Sequence, residues 1–202
     1  MSELNWRDRV IAYIRQEATP VDKYGHQPRL YSLAKQIAEG EGCDDDVLFA
    51  AAWMHDLGVF LDHRPSDPME LAAWDHVPYT ITRSRELLME WGFPDEKLDA
   101  VGESIRTHQP KDSPTLPEAV VLRDADILEQ LGAVGAFRAL AKVGRDTRFK
   151  TFTDVVPVLE RALSELPGQL RLSQSRNLAA ERLTALGGLL TAIRREAGDL
   201  LF

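Results

Sequence analysis

The sequence predicts an all-α protein, and three observations carry that prediction. Apolar residues recur at three- and four-residue spacing through segment after segment. No stretch shows sustained apolar/polar alternation bounded by turn residues, the signature of a strand. Prolines and glycines such as Pro20, Gly40, Gly42 and Gly92 fall where the periodic segments stop.

Asn5 can cap a first helix that carries Trp6, Val10, Tyr13 and Ile14 on one face, and Pro20 ends it. A second helix starts near His26 to Pro28, carries Leu30, Leu33, Ala34, Ile37 and Ala38, and stops at Gly40 and Gly42. Asp44 to Asp46 open a third, since acidic side chains suit the positive end of the helix dipole. Its body, VLFAAAWMHDLG, is almost wholly apolar, which predicts the most buried helix, with His55 and Asp56 near its C-terminal end. Residues 62–68 read as a turn-rich loop, followed by a short helix over Met69 to Trp74. Pro78 suits a first helical turn, and that helix runs to Trp91 and Gly92. Another begins at Pro94 and Asp95, with Leu98, Val101 and Ile105 inward and His108 at its end. Three prolines make a loop of Gln109 to Pro117. PEAVVLRDADILEQLG is a buried helix holding two aspartates, and Ala133 to Lys142 continues it in register. Residues 144–152 form a loop or linker before helices over Val155 to Leu166 and Ser173 to Ala197, the last bearing Leu183, Leu186, Leu189, Leu190 and Ile193.

The chain's 202 residues fit one domain, or one domain with an appended helical piece: a core over 1–144 and a helical extension over 145–202 packed on it as a single compact unit. No apolar run reaches the roughly 18 residues of a membrane span. The N-terminal stretch is charged and amphipathic, unlike a secretory signal. Cys43, the single cysteine, can form neither an internal disulfide nor a thiolate cluster, which suits a reducing cytoplasm. With 24 basic and 32 acidic residues the net charge is -8, which argues against duplex nucleic acid as a main partner.

The chemistry lies in the histidines. His26, His55, His76 and His108 fall on or at the ends of predicted helices, and Asp56 and Asp126 lie in apolar runs. A buried carboxylate without a partner costs several kcal/mol, so a carboxylate beside imidazoles asks for a cation. A divalent metal meets that need, and the N/O donor set accepts manganese, iron, nickel, cobalt, zinc or magnesium. Plainer roles exist for some of these groups. His76 precedes Val77 and Pro78 and can help cap the next helix, while His108 at a helix end interacts favourably with the dipole. His63, in a Pro-containing loop, is expected to be solvated, and Asp124 to face away from Asp126 in a supporting role. No GxxxxGK loop or GxSxG elbow is present, no serine sits in a recognisable triad context, and Cys43 beside three aspartates is a poor nucleophile.

The order His26, His55-Asp56, His76, His108, Asp126 resembles the HD-domain superfamily of metal-dependent phosphohydrolases. The stretches that carry the resemblance are HQPRLYSLAKQIAEGEG, VLFAAAWMHDLG and VVLRDADILEQLGAVGAFRAL, within residues 22–138. It implies an HD-domain helical bundle with additional C-terminal helices. It further implies His26, His55, Asp56 and Asp126 as ligands of one divalent ion. Where a second ion is bound, Asp56 is shared and His76 and His108 complete the second set. The implied reaction is attack of metal-activated water on a phosphate ester or anhydride of a nucleotide or other small phosphorylated metabolite. Asp56, His76 and His108 are then catalytic. Lys111, three residues after His108, is the best-placed cation for the phosphate among Lys23, Arg29, Lys111, Arg123 and Arg138. A second activity fits the resemblance, a di-iron oxygenase acting on a small polyol or phosphonate; a third reading, from another class, is a non-catalytic metal or nucleotide sensor. The C-terminal helices offer a surface for a partner or a second copy of the chain. No general acid or base can be assigned, because LGVFLDH follows the His-Asp pair with no glutamate nearby.

Overall fold

α1 (Trp6–Glu17) opens where the Asn5 side chain accepts the amide of Asp8 at 3.0 Å, the predicted cap. The computed structural model describes residues 4–145 and 149–197, and every regular element among them is helical. The order continues α2 (His26–Ile37), α3 (Asp45–Met54), α4 (Pro68–Ala72), α5 (His76–Glu90), α6 (Leu98–Arg106), α7 (Pro117–Glu129), α8 (Gly132–Leu140), α9 (Val156–Glu165) and α10 (Ser173–Ala197). The chain divides into two compact units between Arg123 and Asp124, inside α7. Of the loop expected over 144–152, residues 146–148 lie outside the described residues.

In the first unit α3 is the axis. Its residues Val47 to Met54 are all buried, which is why its sequence shows no polar face. α1, α2 and α6 pack against it, and α5 packs on α6. The aspartate triplet is a helix start with two further duties. Asp44 caps α3 by accepting the amides of Asp46 and Val47 at 2.9 and 3.3 Å. Asp45 and Asp46 pair with Arg7 of α1 at 2.8 and 2.6 Å, and Lys97, just before α6, reaches both Asp44 and Asp46 at 2.8 Å. One charged cluster thus fastens α1, α3 and the start of α6 at the same end.

α3 stops at Met54, and the chain tightens into two 3₁₀ turns, Leu57–Val59 and Leu61–His63. This turn leaves His63 half-buried with its side chain turned inward, contrary to the solvated position expected for it. Its side chain is 7% exposed, with Nε2 at 3.0 Å from Glu17 Oε2 and Nδ1 at 2.8 Å from the Tyr79 hydroxyl. The prolines that suggested an open loop lie beyond it, at Pro65 and Pro68. Asp75, rather than His76, caps α5, its side chain accepting the amide of Val77 at 3.0 Å.

In the second unit, Asp124 is fully buried and accepts the amides of Arg171 (2.9 Å) and Leu172 (2.9 Å), seating the segment that leads into α10. The supporting role expected for Asp124 is therefore a backbone anchor. α7 and α8 are not continuous as the sequence suggests: Gly132 has φ +78°, which breaks the helix path. Arg182 of α10 donates to the Leu128 carbonyl at 2.9 Å across this break. α8 and α9 both pack on α10.

Candidate metal centre

His26 is the first residue of α2, delivered by the 3₁₀ turn Val21–Lys23, and is 3% exposed. His55 and Asp56 follow α3 directly. Successive residues of a helix point about 100° apart, so two helical neighbours face one point poorly. The structure solves this by leaving the helix between them: His55 is still α-helical (φ -54°, ψ -29°), whereas Asp56 has φ -101°, ψ 11°. The Asp56 carboxylate consequently turns back toward the imidazoles.

Four imidazoles surround it. His26 Nε2 is 3.8 Å from Asp56 Oδ2, His55 Nε2 is 3.6 Å from Oδ1, and His76 Nε2 is 3.8 Å from Oδ1. The rings form an edge-on series, His26–His55 at 5.2 Å, His55–His108 at 5.1 Å and His108–His76 at 5.6 Å between centroids. Two donor groups result, His26/His55/Asp56 and Asp56/His76/His108, each with ligand atoms within 4.8 Å of one another, and both share Asp56. Burial opposes the charge on Asp56, yet the nearby His55, His26, Lys23 and His108 outweigh it and hold the carboxyl well below its ordinary range.

The donors suit a divalent cation. His55 Nδ1 lies 3.0 Å from the Ala52 carbonyl, and His108 Nδ1 contacts that of Ile105 at 2.6 Å. A carbonyl only accepts, so each Nδ1 carries a proton; a divalent ion would take the place of the second, Nε2 proton of the charged ring and meet the lone pair left there. His26 Nε2 stands 3.3 Å from His55 Nε2. Ligand atoms about 2.1 Å from a tetrahedral ion lie about 3.4 Å apart, so this spacing is that of two ligands on one ion.

The family comparison agrees with the motif. The HD domain family model matches residues 24–131. The chain belongs to the HD-domain family. Similar solved structures cover nearly its whole length. Bacillus subtilis YpgQ is 23% identical, covering 99% of this chain and 100% of that one, with a TM-score of 0.75. A structure of YpgQ in complex with ADP is 20% identical over 96% and 99% of the two chains, TM-score 0.69. A predicted HD superfamily hydrolase from an uncultured Thermotogales bacterium is 22% identical over 98% and 97%, TM-score 0.64. At these identities the likeness is one of fold. An uncharacterized protein of Clostridium beijerinckii is 24% identical over 95 residues, a match spanning 55% of that protein and 47% of this chain.

Asp126 stands on α7 in the second unit, half-buried, its Oδ2 accepting from Gln130 Nε2 at 3.3 Å. Lys111 is exposed in the turn after His108. Arg123 is 4% exposed and donates to the Pro110 carbonyl, and Arg138 donates to the Glu129 carbonyl at 3.2 Å, so both have structural employment. Lys23 is the candidate cation whose charge bears on Asp56. Sequence reasoning ranks it below Lys111 because its closeness depends on how the turn before α2 folds. Sequence reasoning passes over Gly58 and Thr80 and takes Trp74 only as core or pocket wall, because their contacts beside His76 cross between segments and leave no motif.

Proposed function

We propose that this protein is a metal-dependent phosphohydrolase that acts on a nucleotide or another small phosphorylated metabolite. The observation that carries the reading is Asp56, one carboxylate shared by two imidazole groups and kept ionised among them. His26, His55 and Asp56 would hold one divalent ion, and Asp56, His76 and His108 a second; Asp126 enters as a further ligand through the family resemblance alone. An ion held there supplies Lewis acidity that makes water nucleophilic near neutral pH and offsets charge developing on a phosphoryl group.

The protein's own residues then do three things. Backbone carbonyls of Ala52 and Ile105 fix the imidazole tautomers, so that Nε2 of His55 and His108 faces the site. The near-complete burial of His26, His55 and His108 limits bulk water around the donors, which strengthens their electrostatic hold. Lys23 contributes positive charge near Asp56 and, with exposed Lys111, is a candidate partner for a substrate phosphate. Nucleotides head the substrate class because YpgQ, which shares the fold, has a structure in complex with ADP.

The test is a phosphate-release screen over nucleoside mono-, di- and triphosphates with Mn²⁺, Co²⁺ or Ni²⁺, run beside Asp56→Ala and an EDTA control. Release by the wild type that falls at least 10³-fold in Asp56→Ala is expected. Turnover unchanged in Asp56→Ala contradicts the proposal. Metal-loaded protein that takes up oxygen with a polyol or phosphonate, and releases no phosphate from any nucleotide, replaces it with the oxygenase reading.

A further inference from the structure

We propose that Gly58, Trp74 and Thr80 form a clamp that positions His76 against Asp56; the inference rests on the reading of His76 as a metal ligand. The Gly58 peptide is fastened on both sides. Its N–H donates to Thr80 Oγ1 at 3.0 Å, and its carbonyl accepts the Trp74 indole Nε1–H at 2.9 Å. Trp74 and Thr80 bracket His76 in sequence, two residues before and four after it. Thr80 is fully buried and Gly58 is buried, so the bond between them does not compete with open water, while the Trp74 bond is part-buried.

The fit leaves no room for a side chain at residue 58. A Cβ there would lie 2.9 Å from the His76 carbonyl oxygen, 3.0 Å from His76 Cβ and 3.0 Å from Thr80 Oγ1. Two of those three atoms belong to His76, and one is backbone that cannot swing aside. Gly58 is not among the positive-φ glycines, so contact rather than conformational freedom requires glycine here. The turn that presents Asp56 therefore also grips, two residues later, the first turn of α5. That is how His76, at the start of a separate helix, comes to place Nε2 3.8 Å from Asp56 Oδ1. Ligand geometry must hold to within about 0.5 Å, so a supporting contact of this kind decides whether the second group binds an ion at all. The first group, His26, His55 and Asp56, does not depend on α5.

The clamp is tested on the full chain by Co²⁺ titration of metal-free wild type, Thr80→Val, Thr80→Ser and Gly58→Ala. Nuclear Overhauser contacts between Gly58 Hα and His76 Hβ are read in the same metal-free samples. The wild type is expected to bind two Co²⁺ and to show the Gly58–His76 contact. Thr80→Val keeps one ion at wild-type affinity, binds the second at least tenfold more weakly, and loses the contact. Thr80→Ser, which retains the hydroxyl, restores both to within about threefold. Should Gly58→Ala not fold, the Thr80 pair carries the test unaided. A Thr80→Val protein that binds both ions as the wild type does overturns the clamp and leaves the metal centre standing. Equal weakening of both ions also overturns it, because the effect would then fall on shared Asp56. A wild type that binds fewer than two ions removes His76 as a ligand, and the proposal falls with that reading.

Discussion

Asp56 is the residue on which both donor groups converge, and its substitution separates a metal centre from a set of buried polar side chains. Asp56→Ala removes the one carboxylate that the two groups contain. Uptake of Mn²⁺ is expected to be lost at both, measured by elemental analysis after gel filtration. His76→Ala touches one group only, and one ion per chain is expected to remain. The donor types of the candidate centre were legible in the sequence, because a carboxylate beside an imidazole at the end of an apolar helix is costly to bury without a cation. Their geometry was not. Whether His55 and Asp56 can face one point depends on the backbone leaving the helix between them, a change of dihedral angle that residue types do not encode. His63 illustrates the opposite error: local composition suggested exposure, and contacts with Glu17 and Tyr79, distant in sequence, turn its side chain inward.

At the scale of elements, α3 is held at its first turn by charge and at its end by the site. Arg7 and then Lys97 hold the Asp46 carboxyl below its ordinary range. A carboxyl depressed in the folded state stabilises the fold above the unfolded-state value of about 3.9, and that contribution fades as pH falls below it. Arg7→Ala is therefore expected to lower the melting temperature more at pH 7 than at pH 3, read by circular dichroism at both values. An equal effect at the two pH values would show that the cluster contributes packing alone. In the second unit, Asp124→Ala leaves two backbone amides without their acceptor. A loss of about 1–3 kcal/mol in urea unfolding is expected, with Asp124→Asn recovering part of it. Helix positions along the chain were readable from periodicity and caps, and α10 matches its expected span, Ser173–Ala197. The break at Gly132 was not readable, because apolar periodicity continues through it and only the left-handed backbone angle reveals the turn.

For the whole molecule, the all-α class followed directly from the absence of alternating segments, and no helix among the described residues is long and apolar enough to cross a membrane. The partition between Arg123 and Asp124 was hidden, since it cuts through one continuous helix with no break in composition. Metal binding to the folded chain alone must also raise its stability, by about 2.7 kcal/mol at a free metal concentration one hundred times the dissociation constant. A rise of several degrees in melting temperature with Mn²⁺, absent in Asp56→Ala, is the expected signature. The most direct measurement of all is the divalent metal content per chain of reconstituted wild type and Asp56→Ala protein, determined side by side by elemental analysis. Two ions in the wild type and none in Asp56→Ala is the predicted result; equal content in the two proteins would mean that the ion is held elsewhere and that Asp56 is not the shared ligand of a metal centre.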